Sequence, residues 1–331
     1  MESTQKSGGV LIYMAAKGCR FLLGLVIVSL LHFALPRLMP GSPVFAILGP
    51  DVVGMSHKAY VELESELGLH DPLPVQLTRH FKEILWFDFG HSYHFQQPVK
   101  QVLMGSVTPT LALLLPSVLL SAILACLLGA VAGRFPGRFF DHSLTPLFLF
   151  LYATPAFLLA MICLDLFAFR LGLFPLGGLR SIDAGVSFGA RILDFGRHLF
   201  LPVMVLTLSS TAVKYLVMRN SVLESAQEGF VLYARARGIS EFRILFTHIL
   251  RHASLPFVSL VGLQFAFILS GSLLIEIVFS LNGMGSLIHE AAMNRDYPVL
   301  HASFLVLTLV VLTINMLTDM VYGILDPRVR G

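Results

Sequence analysis

The sequence predicts an all-helical membrane protein with six spans and a folded loop after the first. Three observations carry that reading. Apolar residues make up 56% of the 331-residue chain and charged residues 13%, against roughly 25% charged in an ordinary soluble domain. Six long runs carry no charge: 21–36, 108–133, 143–164, 199–213, 255–275 and 299–318. Basic residues collect on one side once those runs are threaded through a bilayer. The composition excludes a disordered chain, a coiled coil, a collagen and a disulfide scaffold. It also argues against a soluble enzyme. A formal charge of +3 gives no basic footprint for nucleic acid.

A helix needs roughly 20 apolar residues to cross a bilayer core. Four runs meet that length. The first and fourth are shorter, and their flanks (Lys17 and Arg20, Lys214 and Arg219) are expected to snorkel to the interface. The predicted spans are 21–38, 108–133, 143–169, 199–218, 255–280 and 299–324. The first run ends in His32-Phe-Ala-Leu-Pro-Arg, without a small-x-small cleavage site, and reads as an uncleaved span. With residues 1–20 in the cytoplasm, that side holds 13 of the 23 basic residues: Lys6, Lys17, Arg20, Arg134, Arg138, Lys214, Arg219, Arg235, Arg237, Arg243, Arg251, Arg328 and Arg330. Residues 325–331 then also lie in the cytoplasm.

Three loops fall on the other side. Loop 39–107 holds an acidic helical stretch from Tyr60, then an amphipathic one in which Leu77, Phe81, Ile84 and Leu85 recur at helical spacing. It reads as a folded subdomain that either docks a partner or caps the spans. Loop 170–198 is rich in turns, with Gly172, Pro175, Gly177 and Gly178. Loop 281–298 is short. Within 39–107, His91 and His94 are three apart and Asp88 precedes them by three, a spacing a metal could use. Scattered surface histidines explain them as well, and no metal site is expected. Cys19, Cys126 and Cys163 form no CxxC and read as small apolar side chains.

Cytoplasmic loop 219–254 is the most informative. Gly238 divides it. Ser221–Arg237 reads as helix, weakened at Gly229. Ser240 is a fitting N-cap for the second half, and Glu241 suits a first turn. Phe242, Leu245, Phe246, Ile249 and Leu250 follow at helical spacing and predict an apolar face. Such a helix pair serves either as a knob for a cytoplasmic partner or as a lipid-surface element.

These residues resemble a known family. Tyr233-Ala-Arg-Ala-Arg-Gly-Ile-Ser-Glu, followed by His248-Ile-Leu-Arg-His-Ala-Ser-Leu-Pro-Phe, is similar to the EAA-type loop of ABC importer permeases. More narrowly, it resembles the B-type inner-membrane subunit of dipeptide, oligopeptide and nickel importers. Arg37-Leu-Met-Pro-Gly-Ser-Pro, Leu67-Gly-Leu-His-Asp-Pro-Leu-Pro-Val-Gln, Asp88-Phe-Gly-His-Ser, Thr108-Pro-Thr-Leu, Pro155-Ala-Phe, Asn294-Arg-Asp-Tyr-Pro-Val and Asp326-Pro-Arg-Val-Arg follow the family pattern in order along almost the whole chain. Two departures stand out. Leu232, Tyr233 and Ala234 replace Glu-Ala-Ala, and Leu281-Asn282-Gly283 replaces Trp-Pro-Gly.

The resemblance implies a type I ABC importer permease in a bacterial inner membrane. Its implied partners are a second homologous permease, two ABC ATPase subunits and an external substrate-binding protein. It implies that Tyr233, Ala234, Arg235, Ala236, Arg237, Gly238, Ile239, Ser240 and Glu241 form the element that couples to an ATPase. Peptides are the implied cargo, with nickel or a metal chelate as the alternative. The chain carries no GxxxxGK[ST] phosphate loop, Gly133-Arg-Phe-Pro-Gly-Arg being the nearest glycine pair. No cofactor and no catalytic residue is expected on it.

Some residues invite a pathway role. Glu276 is the strongest of three acids near apolar runs (Asp165, Glu276 and Asp319), because Gly262, Ser270, Gly271 and Ser272 share its span. Those small residues serve close helix packing equally well. Ser209 and Thr211 belong to a polar stripe with Thr207 and Ser210. Two rival classes were weighed. An ion-gradient transporter needs ionisable groups near the midplane and inverted repeats, whereas these acids sit near span ends. An intramembrane hydrolase needs a nucleophile beside His or paired Asp, and neither His32 nor His301 has one in sequence.

Overall fold

The computed structural model describes residues 17–34, 54, 56–66, 70–92, 94–181 and 187–325, except the side chains of 63, 66, 265–271 and 321–325. In chain order the elements are α1 (Lys17–Ala34), α2 (His57–Glu66), α3 (Leu73–Trp86), β1 (His91–Ser92), β2 (Gln97–Pro98), α4 (Val99–Arg134), α5 (Phe139–Ala153), α6 (Ala156–Cys163), α7 (Phe188–Ser225), α8 (Gly229–Ala236), α9 (Glu241–Arg243), α10 (Leu250–Val278), α11 (Met284–Met293) and α12 (Tyr297–Leu325). Leu164–Arg170 prolongs α6 as π-helix, and Ile244–Ile249 joins α9 to α10 in the same form. Five stretches are long and apolar enough to cross a membrane: α1, α4, α7, Glu241–Gln264 and α12. The pair α5–α6 brings the number to six.

That pair occupies the expected third span, and it is bent by 100°. The cause is local. Proline restricts the residue before it to extended backbone. Thr154 accordingly lies at φ −88°, ψ 122°, which ends α5, and Pro155 starts α6. The fourth span sits in a helix of 38 residues that begins at Phe188, where the Ser187 hydroxyl accepts the Ala190 N–H at 3.2 Å. The charges of Arg191, Asp194 and Arg197 interrupt the apolar run but not the helix.

The chain forms two compact units. One comprises Leu111–Leu281 and the end of α12 from Ile314. Here α7 is buried on most sides by Leu201, Val205, Leu206, Ala212, Tyr215, Met218 and Val222. Helix α4 comes against it so closely that a Cβ on Gly133 would stand 2.4 Å from the Arg219 carbonyl oxygen. One on Gly129 would meet the Met218 Cβ at 2.9 Å. A Cβ on Gly262 of α10 would meet Thr318 Cγ2 of α12 at 2.2 Å. Small residues here let backbones approach, as helix packing in lipid favours.

The same unit contains two cations expected at the interface, Arg219 partly exposed and Lys214 buried. Arg219 instead pairs with Asp141 of α5, Nε to Oδ1 at 2.5 Å and Nη2 to Oδ2 at 2.8 Å. Asp141 also accepts from the Gly137 N–H and the Thr145 hydroxyl. Lys214 has no exposed surface, and its Nζ donates to Ser121 Oγ of α4 at 2.5 Å. A partner inside the bundle replaces the reach to water.

The second unit comprises the described residues up to Thr110 together with Asn282–Thr313. Its core is Val99, Leu103, Met284, Leu287, Ala291, Val299 and Ala302. Two motifs far apart in sequence meet here. Ser92 Oγ, from Asp88-Phe-Gly-His-Ser, donates to Asp296 Oδ2, from Asn294-Arg-Asp-Tyr, at 2.5 Å. The same carboxylate accepts the His94 N–H at 3.3 Å and the Val299 N–H at 3.4 Å. The Thr110 hydroxyl accepts the Met284 N–H at 2.7 Å. Residues 39–53 of the expected subdomain, including most of the Arg37-Leu-Met-Pro-Gly-Ser-Pro motif, lie outside the described residues, as does the C-terminal Asp326-Pro-Arg-Val-Arg.

Candidate functional site: the loop between α7 and α10

Helix α7 ends at Ser225 in a tight turn, with the Ala226 N–H on the Val222 carbonyl and the Gln227 N–H on the Glu224 carbonyl. Helix α8 starts at Gly229 and closes in a Schellman turn. The Gly238 N–H bonds the Arg235 carbonyl at 2.9 Å, and the Ile239 N–H bonds the Ala234 carbonyl at 3.2 Å. That turn needs left-handed backbone at its C′ position, which glycine adopts without Cβ strain. Gly238 sits there at φ +74°.

Ser240 occupies the N-cap position of the next helix, at φ −62°, ψ 143°, but its side chain caps nothing. Only its carbonyl engages, accepting the Ile244 N–H at 2.9 Å. Glu241 is the clamp. Its Oε1 accepts from Arg235 Nε at 2.7 Å, and its Oε2 accepts from Arg134 Nη2 at the end of α4. One carboxylate thus ties both halves of the loop to a spanning helix.

The loop has two faces. Val231, Ala234, Ile244 and Ile249 are buried in the core that also holds Tyr215, Met218 and Phe257. Tyr233 (67% exposed), Phe242 (73%), Leu232 and Phe246 point out. Arg237 lies over the Tyr233 ring at 5.8 Å, and the Phe242 and Phe246 rings are 4.5 Å apart. Arg235, Ala236, Arg237, Gly238, Ser240 and Glu241 are exposed as well, and Ile239 is partly covered. Of the expected apolar face, Ile249 is buried and Leu245 and Leu250 pack against the same core, while Phe242 and Phe246 point out. In the π-helical stretch, whose hydrogen bonds run from i to i+5, Ile244 and Ile249 are both buried.

The pathway candidates lie on α7 and α10. Thr211, Ser272 and Glu276 have no exposed surface in the single chain. The Thr211 hydroxyl donates to the Thr207 carbonyl at 2.7 Å. Ser209 Oγ and Thr207 Oγ1 are buried without a hydrogen-bond partner among the described residues. The Ser270 side chain lies outside the described residues. In the other unit, His94 pairs with Glu290 at 3.0 Å, and Asp88 accepts from the Gly90 N–H. Among the described residues no group of three or more His, Cys, Asp or Glu has the geometry of a metal site.

Sequence reasoning missed the Arg219–Asp141 pair and the enclosure of Lys214. A signal for the first was present: opposite charges stand at the ends of two spans that the span count puts on one side of the membrane.

A family profile described as "Binding-protein-dependent transport system inner membrane component" matches residues 125–331. The chain belongs to that family. It is 35% identical over 315 residues to a putative peptide permease protein of Brucella suis, covering 94% of this chain and 97% of that one. It is 31% identical over 306 residues to a probable peptide ABC transporter permease protein of Sinorhizobium fredii, covering 92% and 95%. It is 31% identical over 330 residues to the dipeptide transport system permease protein DppB of Escherichia coli, covering 93% and 97%. The protein is thus an all-helical, multi-pass ABC importer permease from a family of bacterial inner-membrane components.

Proposed function

We propose that this permease forms half of the translocation path of an ATP-driven peptide importer. A second homologous permease supplies the other half. Two ATPase subunits bind on the cytoplasmic side, and an external binding protein delivers the peptide. Both chain ends lie in the cytoplasm, which places the α7–α10 loop there too. The observation that carries this reading is the loop itself. A buried inner face fixes Tyr233–Glu241 to the bundle, while an outer face of Tyr233, Phe242, Phe246 and Arg237 is left for a partner. Aromatic and arginine side chains are those that dominate binding energy at protein interfaces. The names of the relatives support the peptide cargo. ATP binding and hydrolysis on the partners would move the loop and switch the path between inward-open and outward-open states.

The test has two readouts. The tagged chain, extracted in mild detergent, should carry with it a second permease and ATPase chains in comparable amounts. The reconstituted complex with its binding protein should take up a labelled dipeptide with ATP, and a proton ionophore should leave uptake intact. A chain that purifies alone, or uptake that the ionophore abolishes while ATP lasts, would overturn the proposal.

A further inference from the structure

Helix α3 carries one half-buried face and one exposed face. On its inner side Gln76, Leu77, His80, Phe81 and Ile84 are half-buried, and no residue of the helix is fully buried. The His80 Nε2 hydrogen-bonds the Ser29 carbonyl at 3.1 Å, and its ring lies 5.5 Å from Phe33. Ser29 lies inside the charge-free run 21–36, several residues before its end. At 1.5 Å per residue, a contact there holds α3 beside the last turns of α1 rather than on top of them.

The outer side carries Val75, Arg79, Lys82 and Trp86 at i, i+4, i+7 and i+11, one stripe of a helix. Leu85 is 76% exposed beside it, and Trp86 is 79% exposed. Pro74, Val75, Thr78, Arg79 and Lys82 line an open cleft of about 440 Å³. Helix α1, against which α3 packs, also exposes apolar side chains, among them Leu22, Leu23 and Leu31.

We infer that α3 is an interfacial helix docked on phospholipid. Headgroup phosphates occupy the cleft beside Arg79, Lys82 and Thr78, and Trp86 sits at headgroup depth. The chemistry fits on each count. Tryptophan concentrates at the membrane interface because its ring is apolar and its N–H is polar. Basic residues on the polar face of such helices draw anionic lipid. Arg79 also pairs with Asp71 at 2.7 Å. Both side chains are exposed, and a pair of that kind contributes little enough to be exchanged for a phosphate. The inference holds whatever cargo the importer carries.

Trp86 is the sole tryptophan of the chain, so its fluorescence reports this helix alone. The full-length wild-type chain is reconstituted in vesicles of phosphatidylglycerol and phosphatidylcholine. Emission is quenched in turn by lipids spin-labelled near the headgroup, by lipids labelled deep in the acyl chain, and by aqueous acrylamide. The shallow label should quench more strongly than the deep one, as interfacial placement of tryptophan requires, and acrylamide should quench weakly. Arg79→Gln with Lys82→Gln should raise acrylamide access in anionic vesicles and change little in pure phosphatidylcholine. Strong acrylamide quenching with no effect of the shallow label would overturn the inference. So would shielding of Trp86 that arises only when the binding protein of the importer is added, which would make the occupant a protein.

Discussion

The α7–α10 loop and the hairpin of the smaller unit are held in opposite ways. Bonds between neighbours in sequence shape the loop: Gly238 to Arg235, Ile239 to Ala234 and Arg235 to Glu241. The hairpin is closed by one carboxylate, Asp296, that reaches Ser92 across 204 residues of sequence. The loop's turn therefore rests on local bonds, while the Glu241–Arg134 pair and its buried face tie it to the bundle. The hairpin has its own local pairing and is in addition held by the far end of the chain. Damage to the loop should cost coupling first, whereas damage at Asp296 should cost stability first.

The largest effect is expected at Asp296. Asp296→Ala leaves the Ser92 hydroxyl and the N–H groups of His94 and Val299 without their acceptor, at a cost of about 3 kcal/mol. The apparent melting temperature of the purified chain in detergent should fall clearly, and Asp296→Asn should recover part of the loss. Gly133→Ala comes next. Its Cβ would press on the Arg219 backbone, which cannot rotate away, so α4 must separate from α7 at about 2 kcal/mol. Both stability and ATPase-coupled transport should drop. A variant with wild-type melting would break the claim that these helices touch at backbone distance.

Gly238→Val sharpens the comparison itself. Space is not the obstacle, since nothing lies within 4 Å of the added Cβ. The obstacle is φ +74°, which costs a non-glycine residue about 1–2 kcal/mol and a β-branched one more. Membrane insertion should persist while transport and ATPase co-purification fall, with Gly238→Ala intermediate. Normal transport by Gly238→Val would remove this loop from coupling. The smallest effect is expected at Glu241. Its ion pairs are exposed, so Glu241→Gln should change stability by less than about 1 kcal/mol. A double-mutant cycle with Arg235→Gln reads that coupling directly.

Helix class, spans and family were legible because they rest on composition and local pattern. Gly238 could be read as a divider for the same reason. What escaped the sequence involves either a partner or the direction in which a side chain or helix points. Phe242 and Phe246 continue the apolar pattern of Leu245, Ile249 and Leu250, and only the structure shows that these two point out while the other three face the core. Arg219 was expected to reach water because Asp141, 78 residues away, was not known to face it. Thr154-Pro155 was visible as a dipeptide, yet a charge-free run says nothing about direction, so the bend remained hidden. Ser92 and Asp296 were noticed as pieces of two motifs, and only the fold joins them.

Lys214 bears on how the chain is made. An ammonium within a membrane helix costs up to about 3 kcal/mol, most at the helix centre, when that helix enters lipid by itself. Ser121, which accepts its hydrogen bond, lies 93 residues earlier in the chain. The receiving helix has therefore left the ribosome before the helix that brings the charge. A permuted gene with α4 encoded after α7 would reverse that order, and insertion of α7 measured in both genes tests whether α4 eases the entry of Lys214.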